Sequence, residues 1–242
     1  MYSMDTLVCS RVQSLITFAA LQMLNISRPI PFTALNTNKV TNRLPLARFT
    51  LRTNPLNSSG VPPTPGECAT SDIVAGVNYV VTRAASTGRP TIATMSLGGP
   101  TDTAIDSAVS SAISRGIHFT VAAGNENQNA GNVSPARVST ANTIGAVDSS
   151  NRKASFSNYG SVLDVWALGV NVRSSWIGSN SAVNTISGTS MATPQVAGAL
   201  AVVIGNQGNS SPAALSSALK SNAQAVVTGA PSGTTKLKAR VW

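Results

Sequence analysis

Ser190 has the surroundings that a nucleophilic hydroxyl needs. It lies in the stretch Ile186-Ser-Gly-Thr-Ser-Met-Ala-Thr-Pro194, which leads directly into a long apolar segment. If that segment is a buried helix, Ser190 lies at its N-terminus, where unpaired backbone N–H groups and the helix dipole stabilise negative charge. A serine at this place can equally be an N-cap that only closes the helix. Both roles stay open from this stretch alone.

Asn125 is the second residue with chemical potential. It ends the apolar run Val121-Ala-Ala-Gly-Asn125, which is typical of a buried strand. In open α/β sheets, ligands bind at the carboxyl ends of the strands, and an Asn amide there can donate to an oxyanion. Asn after a strand is also an ordinary turn former. Only together do the two stretches favour a catalytic site.

The segments that must position these residues alternate between strand and helix. Apolar spacing predicts helices at about 72–85 and from 105 to Gly116, a buried central helix over 191–204, and a last helix capped by Ser211-Pro212. Short apolar runs predict strands at 91–97, 117–123, 143–147, 162–166 and 170–174. The alternation predicts the α/β class, a mainly parallel sheet with helices on both faces.

Four stretches carry a resemblance to a known family. They are Ser-Gly-Thr-Ser-Met-Ala-Thr-Pro (187–194), Ala-Ala-Gly-Asn (122–125), Met-Ser-Leu-Gly-Gly (95–99) and Ser-Phe-Ser-Asn-Tyr-Gly-Ser-Val-Leu-Asp (155–164). The sequence resembles the subtilisin-like serine proteases, or subtilases, and within them the proteinase K-like fungal branch. The resemblance begins near Ala69, so we expect a partial subtilisin-like peptidase domain over 69–242.

The resemblance implies a role for each motif. Ser190 matches the nucleophile and Asn125 the side-chain oxyanion donor, with the Ser190 N–H as second donor, in peptide-bond hydrolysis through an acyl-enzyme. The substrate backbone would add as a strand to Ser96, Leu97 and Gly98. The facing pocket wall would be Ala122, Ala123 and Gly124, and the lack of charge in both segments predicts an apolar preference.

The chemistry implied by the resemblance requires no cofactor, but the resemblance also implies a stabilising calcium ion. Asp164 matches a family carboxylate that binds Ca²⁺ together with backbone carbonyls, here those of Ser139 and Ala141. Oxygen ligands of this kind suit Ca²⁺. Asp164 could equally be a turn residue at the end of a strand.

The His and Asp motifs that the family places upstream are missing. The only histidine, His118, lies inside a predicted strand and is expected to be structural. Asp5-Thr6 is followed by Leu7 instead of glycine, without an apolar strand before it, so we interpret it as accidental. The sheet is then expected to be incomplete on its amino-terminal side, with an unpaired edge.

Two interpretations of this absence belong to different functional classes. Residues 1–68 are interrupted by seven prolines, follow no period for long and remain unassigned, as a disordered or mistranslated segment would. The chain would then be a serine endopeptidase whose amino-terminal third has been lost. Alternatively it is an inactive relative that binds peptides. The abrupt start of the resemblance favours the first.

Composition excludes several other classes. Only 10% of the 242 residues are charged and 42% are hydrophobic, which argues against a disordered charge-rich protein. No apolar stretch approaches the roughly 18 residues of a membrane span. The net charge is +9, but the basic residues are scattered, so nucleic acid is not an expected partner. We expect a monomer that acts on peptide or protein substrates.

The apolar run from Leu15 to Leu24 follows Arg11 but lacks a small-residue cleavage site, so it is not a convincing signal peptide. A secreted or vacuolar location is implied by the resemblance alone.

Overall fold

A computed structural model of the chain describes residues 3–7, 68–176, 179 and 181–242, with the backbone alone for 3–7. The predicted α/β class is confirmed. The helices are α1 (Thr70–Thr87), α2 (Thr103–Ser114), α3 (Thr189–Gln207) and α4 (Pro212–Asn222), with a 3₁₀ turn at Ala130–Asn132. The strands are β1 (Ser3–Leu7), β2 (Thr91–Met95), β3 (His118–Ala122), β4 (Asn142–Val147), β5 (Val165–Leu168), β6 (Val172–Ser175), β7 (Val183–Ile186), β8 (Gln224–Ala225) and β9 (Leu237–Lys238).

The main sheet runs in the order β1-β2-β3-β4-β5-β9-β8, and its first five strands are parallel. Two strand predictions need correction. The strand expected at 162–166 begins only at Val165, and the strand expected at 170–174 pairs with β7 in a separate antiparallel ribbon. Element boundaries therefore shift while the alternation of strand and helix holds.

Strand β1 extends the amino-terminal side of the sheet, so that among the described residues the outer strand is β1 and not β2. Its five residues pair in parallel with β2, so that Asp5 lies opposite Ala93 and Leu7 opposite Met95. Asp5 therefore lies in a strand that the sequence analysis did not predict, and our interpretation of its motif stays a prediction.

Helices cover both faces of the sheet, as predicted. One core cluster includes Val77 of α1, Val109 of α2 and Phe119 of β3, and the other includes Leu200 of α3, Leu219 of α4 and Ile144 of β4. Helix α3 is buried around most of its circumference, which fits its apolar sequence. No helix in the described part of the chain is long and apolar enough to cross a membrane.

Candidate active site

Helix α3 presents Ser190 in its first turn, at the rim of the sheet. Pro194 lies inside this helix and has no N–H, so the Ser190 carbonyl loses its usual i+4 donor. The Ser96 hydroxyl, which follows the carboxyl end of β2, donates to this carbonyl at 3.0 Å. The sequence-predicted substrate edge and the predicted nucleophile therefore lie in direct contact.

Asn125 follows β3 and is held against the same helix end. Its Oδ1 accepts from the Thr189 N–H at 2.8 Å and from the Thr189 hydroxyl at 3.0 Å. Because Oδ1 is bound to Thr189, the amide Nδ2 is directed away from Thr189. No described residue accepts a hydrogen bond from Nδ2. Asn125 is exposed, so this N–H₂ group is available to a ligand.

The Asn125 amide and the Ser190 backbone approach a common point beside Gly188. A methyl group built on Gly188 would lie 3.7 Å from the Ser190 nitrogen and 3.8 Å from Asn125 Nδ2. The Ser190 N–H is one of the first-turn donors that a helix leaves unpaired. Two donors that share one open space at a helix N-terminus can together stabilise an oxyanion.

The other predicted binding residues lie at the same edge of the sheet. Register pairs Met95 with Val121, so the segments that follow β2 and β3 leave the sheet side by side. Leu97 is half-buried and Gly98 is exposed, while Ala122 and Ala123 are buried. The structure therefore brings together the predicted cleft residues, and their contact with substrate stays a prediction.

Asn158 organises the loop that carries Asn125, and our sequence analysis assigned it no role. It is fully buried, donates to the Ala123 carbonyl and to Glu126 Oε2, and accepts from the Glu126 and Gln128 N–H groups. Gly124 has φ +101°, and a side chain there would collide with Asn158. The only sequence signal for Asn158 was its place inside the motif at 155–164.

Comparison with known proteins gives the family of the chain. The sequence model described as the subtilase family (Peptidase_S8) matches residues 55–238. The chain belongs to the subtilase family. This match begins 14 residues before Ala69, where the resemblance was expected to start (69 − 55).

Two fungal proteins illustrate the relationship. Subtilisin-like protease 2 of Pseudogymnoascus destructans is 53% identical over 158 residues, which is 64% of this chain and 38% of that protein. The subtilisin-like serine protease AsES of Sarocladium strictum is 49% identical over 172 residues, 70% of this chain and 44% of that protein. The chain therefore spans less than half the length of these curated relatives.

A solved structure shows the same fold. The crystal structure of a cold adapted subtilisin-like serine proteinase aligns with a TM-score of 0.77 and 30% identity, covering 100% of this chain and 89% of that one.

A Gly188→Ala substitution tests whether the space between the two donors is functional in this subtilase. The φ of 162° is extended backbone, and the atoms nearest to the added methyl lie at 3.6 Å or beyond, so the fold should persist. The methyl group would obstruct an oxyanion shared by both donors. We expect the dissociation constant of a peptidyl boronate to rise about 10-fold, which is less than the effect of removing one oxyanion donor completely. The melting temperature should stay unchanged. If the variant binds the boronate as tightly as the wild type, the two donors do not share an oxyanion space beside Gly188.

His118 lies too far along its strand to serve Ser190. It begins β3, whereas Asn125 follows the end of that strand. The side chain is 1% exposed, and its Nε2 is 2.9 Å from Asn209 Oδ1. Burial lowers the pKa of His118 below its ordinary value. The prediction of a structural, buried histidine is confirmed.

The neutral His118 should make stability depend on pH. Because its folded-state pKa is lowered, the unfolded chain binds the proton more tightly, and acid favours unfolding. This contribution is complete above about pH 6.5, the ordinary value, and is lost as pH falls toward the folded-state pKa. Urea unfolding of the wild type and of His118→Met between pH 5 and 8 checks this. The free energy of unfolding of the wild type minus that of His118→Met should be smaller at pH 5 than at pH 8. An equal difference at both pH values would contradict the prediction.

Among the residues whose side chains the structure describes, no base lies at the Ser190 hydroxyl. Lys153 has its pKa lowered by burial, but its ammonium donates to Asn127 Oδ1 and to the Ala154 carbonyl. Lys220 is paired with Asp164. Within the described ranges, no side chain is hydrogen-bonded to Ser190 Oγ, so a base for this serine is not found there.

The donor set around Asp164 does not fit the calcium ion implied by the family. One carboxylate oxygen accepts from the Lys220 ammonium at 3.0 Å, and the other accepts from the Thr143 N–H at 2.8 Å. Ser139 and Ala141 lie just before Thr143, so the three implied ligands are near one another in the chain fold. The described residues include no cluster of three or more His, Cys, Asp or Glu that could hold a metal.

Proposed function

We propose that this chain carries the nucleophile and the oxyanion-binding groups of a serine endopeptidase that cleaves peptides or proteins. The observation that carries the proposal is the open space beside Gly188, which the Ser190 N–H and the Asn125 amide share. Family membership gives the reaction class, and this geometry supports the assignment of the roles to Ser190 and Asn125.

In this reaction Ser190 Oγ attacks the carbonyl carbon of the scissile bond. The carbonyl oxygen becomes an oxyanion that accepts hydrogen bonds from the Ser190 N–H and from Asn125 Nδ2. The C–N bond then breaks, the amine leaves with a proton, and water hydrolyses the resulting ester at Ser190. The hydroxyl proton must pass to a base in the first step, and the described residues do not supply one.

The surroundings of Ser190 favour apolar substrate side chains. The proposed pocket wall consists of Ala122 and Ala123, both buried, and the proposed edge carries the half-buried Leu97. None of these residues offers a charge to pair with a charged substrate group. Family membership supports a further part of the proposal, a secretory route that leads outside the cell or to a vacuole.

A second candidate function is peptide binding without turnover. It is favoured by one observation, the lack of a base at Ser190 in the described part of the chain. The cleft would then hold a peptide along Ser96, Leu97 and Gly98, and Ser190 would be only a first-turn residue of α3, whose N-cap is Gly188 and not Ser190.

Covalent labelling separates the two candidates. A fluorophosphonate should modify Ser190 slowly but selectively, as shown by peptide mass mapping after long incubation. Ser190→Ala should abolish the modification, whereas Ser187→Ala should not, because the Ser187 hydroxyl accepts from the Asn171 N–H outside the oxyanion space. Binding of a peptide without any labelling of Ser190 would favour the binding protein and overturn the nucleophile.

A further inference from the structure

We propose that Lys220 is the permanent counter-ion of Asp164 and takes the place of a divalent cation in this chain. The Lys220 ammonium lies 3.0 Å from Asp164 Oδ1. The Asp164 side chain is only 14% exposed and that of Lys220 43%. A carboxylate this poorly hydrated needs compensation for its charge, and the ammonium supplies it.

The second carboxylate oxygen is also in use. Asp164 Oδ2 accepts from the Thr143 N–H at 2.8 Å, and the Asp164 N–H donates to the Thr143 carbonyl at 2.9 Å. Ca²⁺ takes six to eight oxygen ligands at about 2.3–2.6 Å. A cation bound to Oδ1 at such a distance would lie beside the ammonium and be repelled by it.

Helix α4 fixes the position of the ammonium. Ser211 caps the helix by accepting from the Ala214 N–H, and Leu215 and Leu219 are buried on the sheet. Lys220 directly follows Leu219 and lies in the last turn, where a cation also interacts favourably with the helix dipole. The ion pair therefore ties the end of α4 to the rim formed by the start of β5 and by β4.

The consequence is a fold whose stability does not depend on calcium at this position. The full chain is melted with calcium and with a chelator, as wild type, Lys220→Met, Asp164→Asn and the double variant. The wild-type melting temperature should be the same in both buffers. Lys220→Met should melt about 2–4 °C lower, as expected for a half-buried pair in a chain of this size.

The double variant and a matched control make the result specific. In the Asp164→Asn background, Lys220→Met should cause only the small further loss of the interaction with the helix dipole, because the pair is already broken. Lys236→Met, which removes an exposed lysine, should melt like the wild type.

Tb³⁺ luminescence excited through Trp166, two residues from Asp164, reports directly on ion binding. A Tb³⁺ signal or a calcium shift in the wild type that Asp164→Asn removes would overturn the proposal, as would a Lys220→Met variant without a lower melting temperature.

Discussion

The protein of residues 1–242 is expected to hydrolyse peptides roughly a million-fold more slowly than a subtilase with a complete triad. In subtilisin, loss of the catalytic histidine alone costs about 2 × 10⁶ in kcat, nearly as much as loss of all three triad members. The single histidine of this chain, His118, is buried at the start of β3, away from Ser190, and is hydrogen-bonded to Asn209 in the loop that follows α3. The oxyanion site and substrate binding alone retain only about 10³–10⁴ over the reaction in water.

Steady-state assays with a peptide p-nitroanilide measure this difference. The comparison is a chimera in which the amino-terminal segment of a related subtilase, with its Asp and His motifs, replaces residues 1–68. Activity restored by the chimera and abolished by Ser190→Ala would favour the protease interpretation. Rapid turnover by the unaltered chain would reveal a base outside the described residues, and a folded chimera that stays inactive would favour the peptide-binding alternative.

The sequence indicated the candidate residues of the site more clearly than it indicated the contacts that position them. Ser190 and Asn125 stand out because a helix N-terminus and a strand end are local features with periodic signals. The role of Asn158 in shaping the loop after β3 depends on contacts about 30 residues away in sequence. No local pattern encodes such a contact, so only the folded chain shows it.

The same limit applies to two features that join distant parts of the sequence. Strand β1 pairs with β2, which lies 88 positions further along the chain (91 − 3), and no local pattern indicates this pairing. The Asp164–Lys220 pair joins residues 56 positions apart. The family motif drew attention to Asp164 but carries no information on Lys220, because the position of Lys220 depends on how α4 packs on the sheet.

Asn125→Ala is expected to weaken binding of a peptidyl boronate by about 10²–10³, the effect of removing one side-chain oxyanion donor in subtilisin. The tetrahedral boronate formed on Ser190 places an oxygen in the space beside Gly188, where it would accept from Asn125 Nδ2. Its dissociation constant measures the oxyanion site directly and, unlike kcat, does not require turnover. The measurement is therefore possible in the chain of 242 residues.

Asn125 has a second role that the experiment must separate from the first. Its Oδ1 also holds the Thr189 N–H at 2.8 Å, so the alanine variant loses an anchor of α3 together with the donor. Asn125→Asp keeps an oxygen for Thr189 but replaces the donor by a negative charge, and it should bind the boronate at least as weakly as Asn125→Ala. Asn222→Ala, which removes an amide bonded only to the Ala218 carbonyl, is the matched control and should bind normally. If the aspartate variant retained wild-type affinity, Asn125 would be a positioning residue for α3, and the oxyanion would have to rely on the backbone N–H of Ser190 alone.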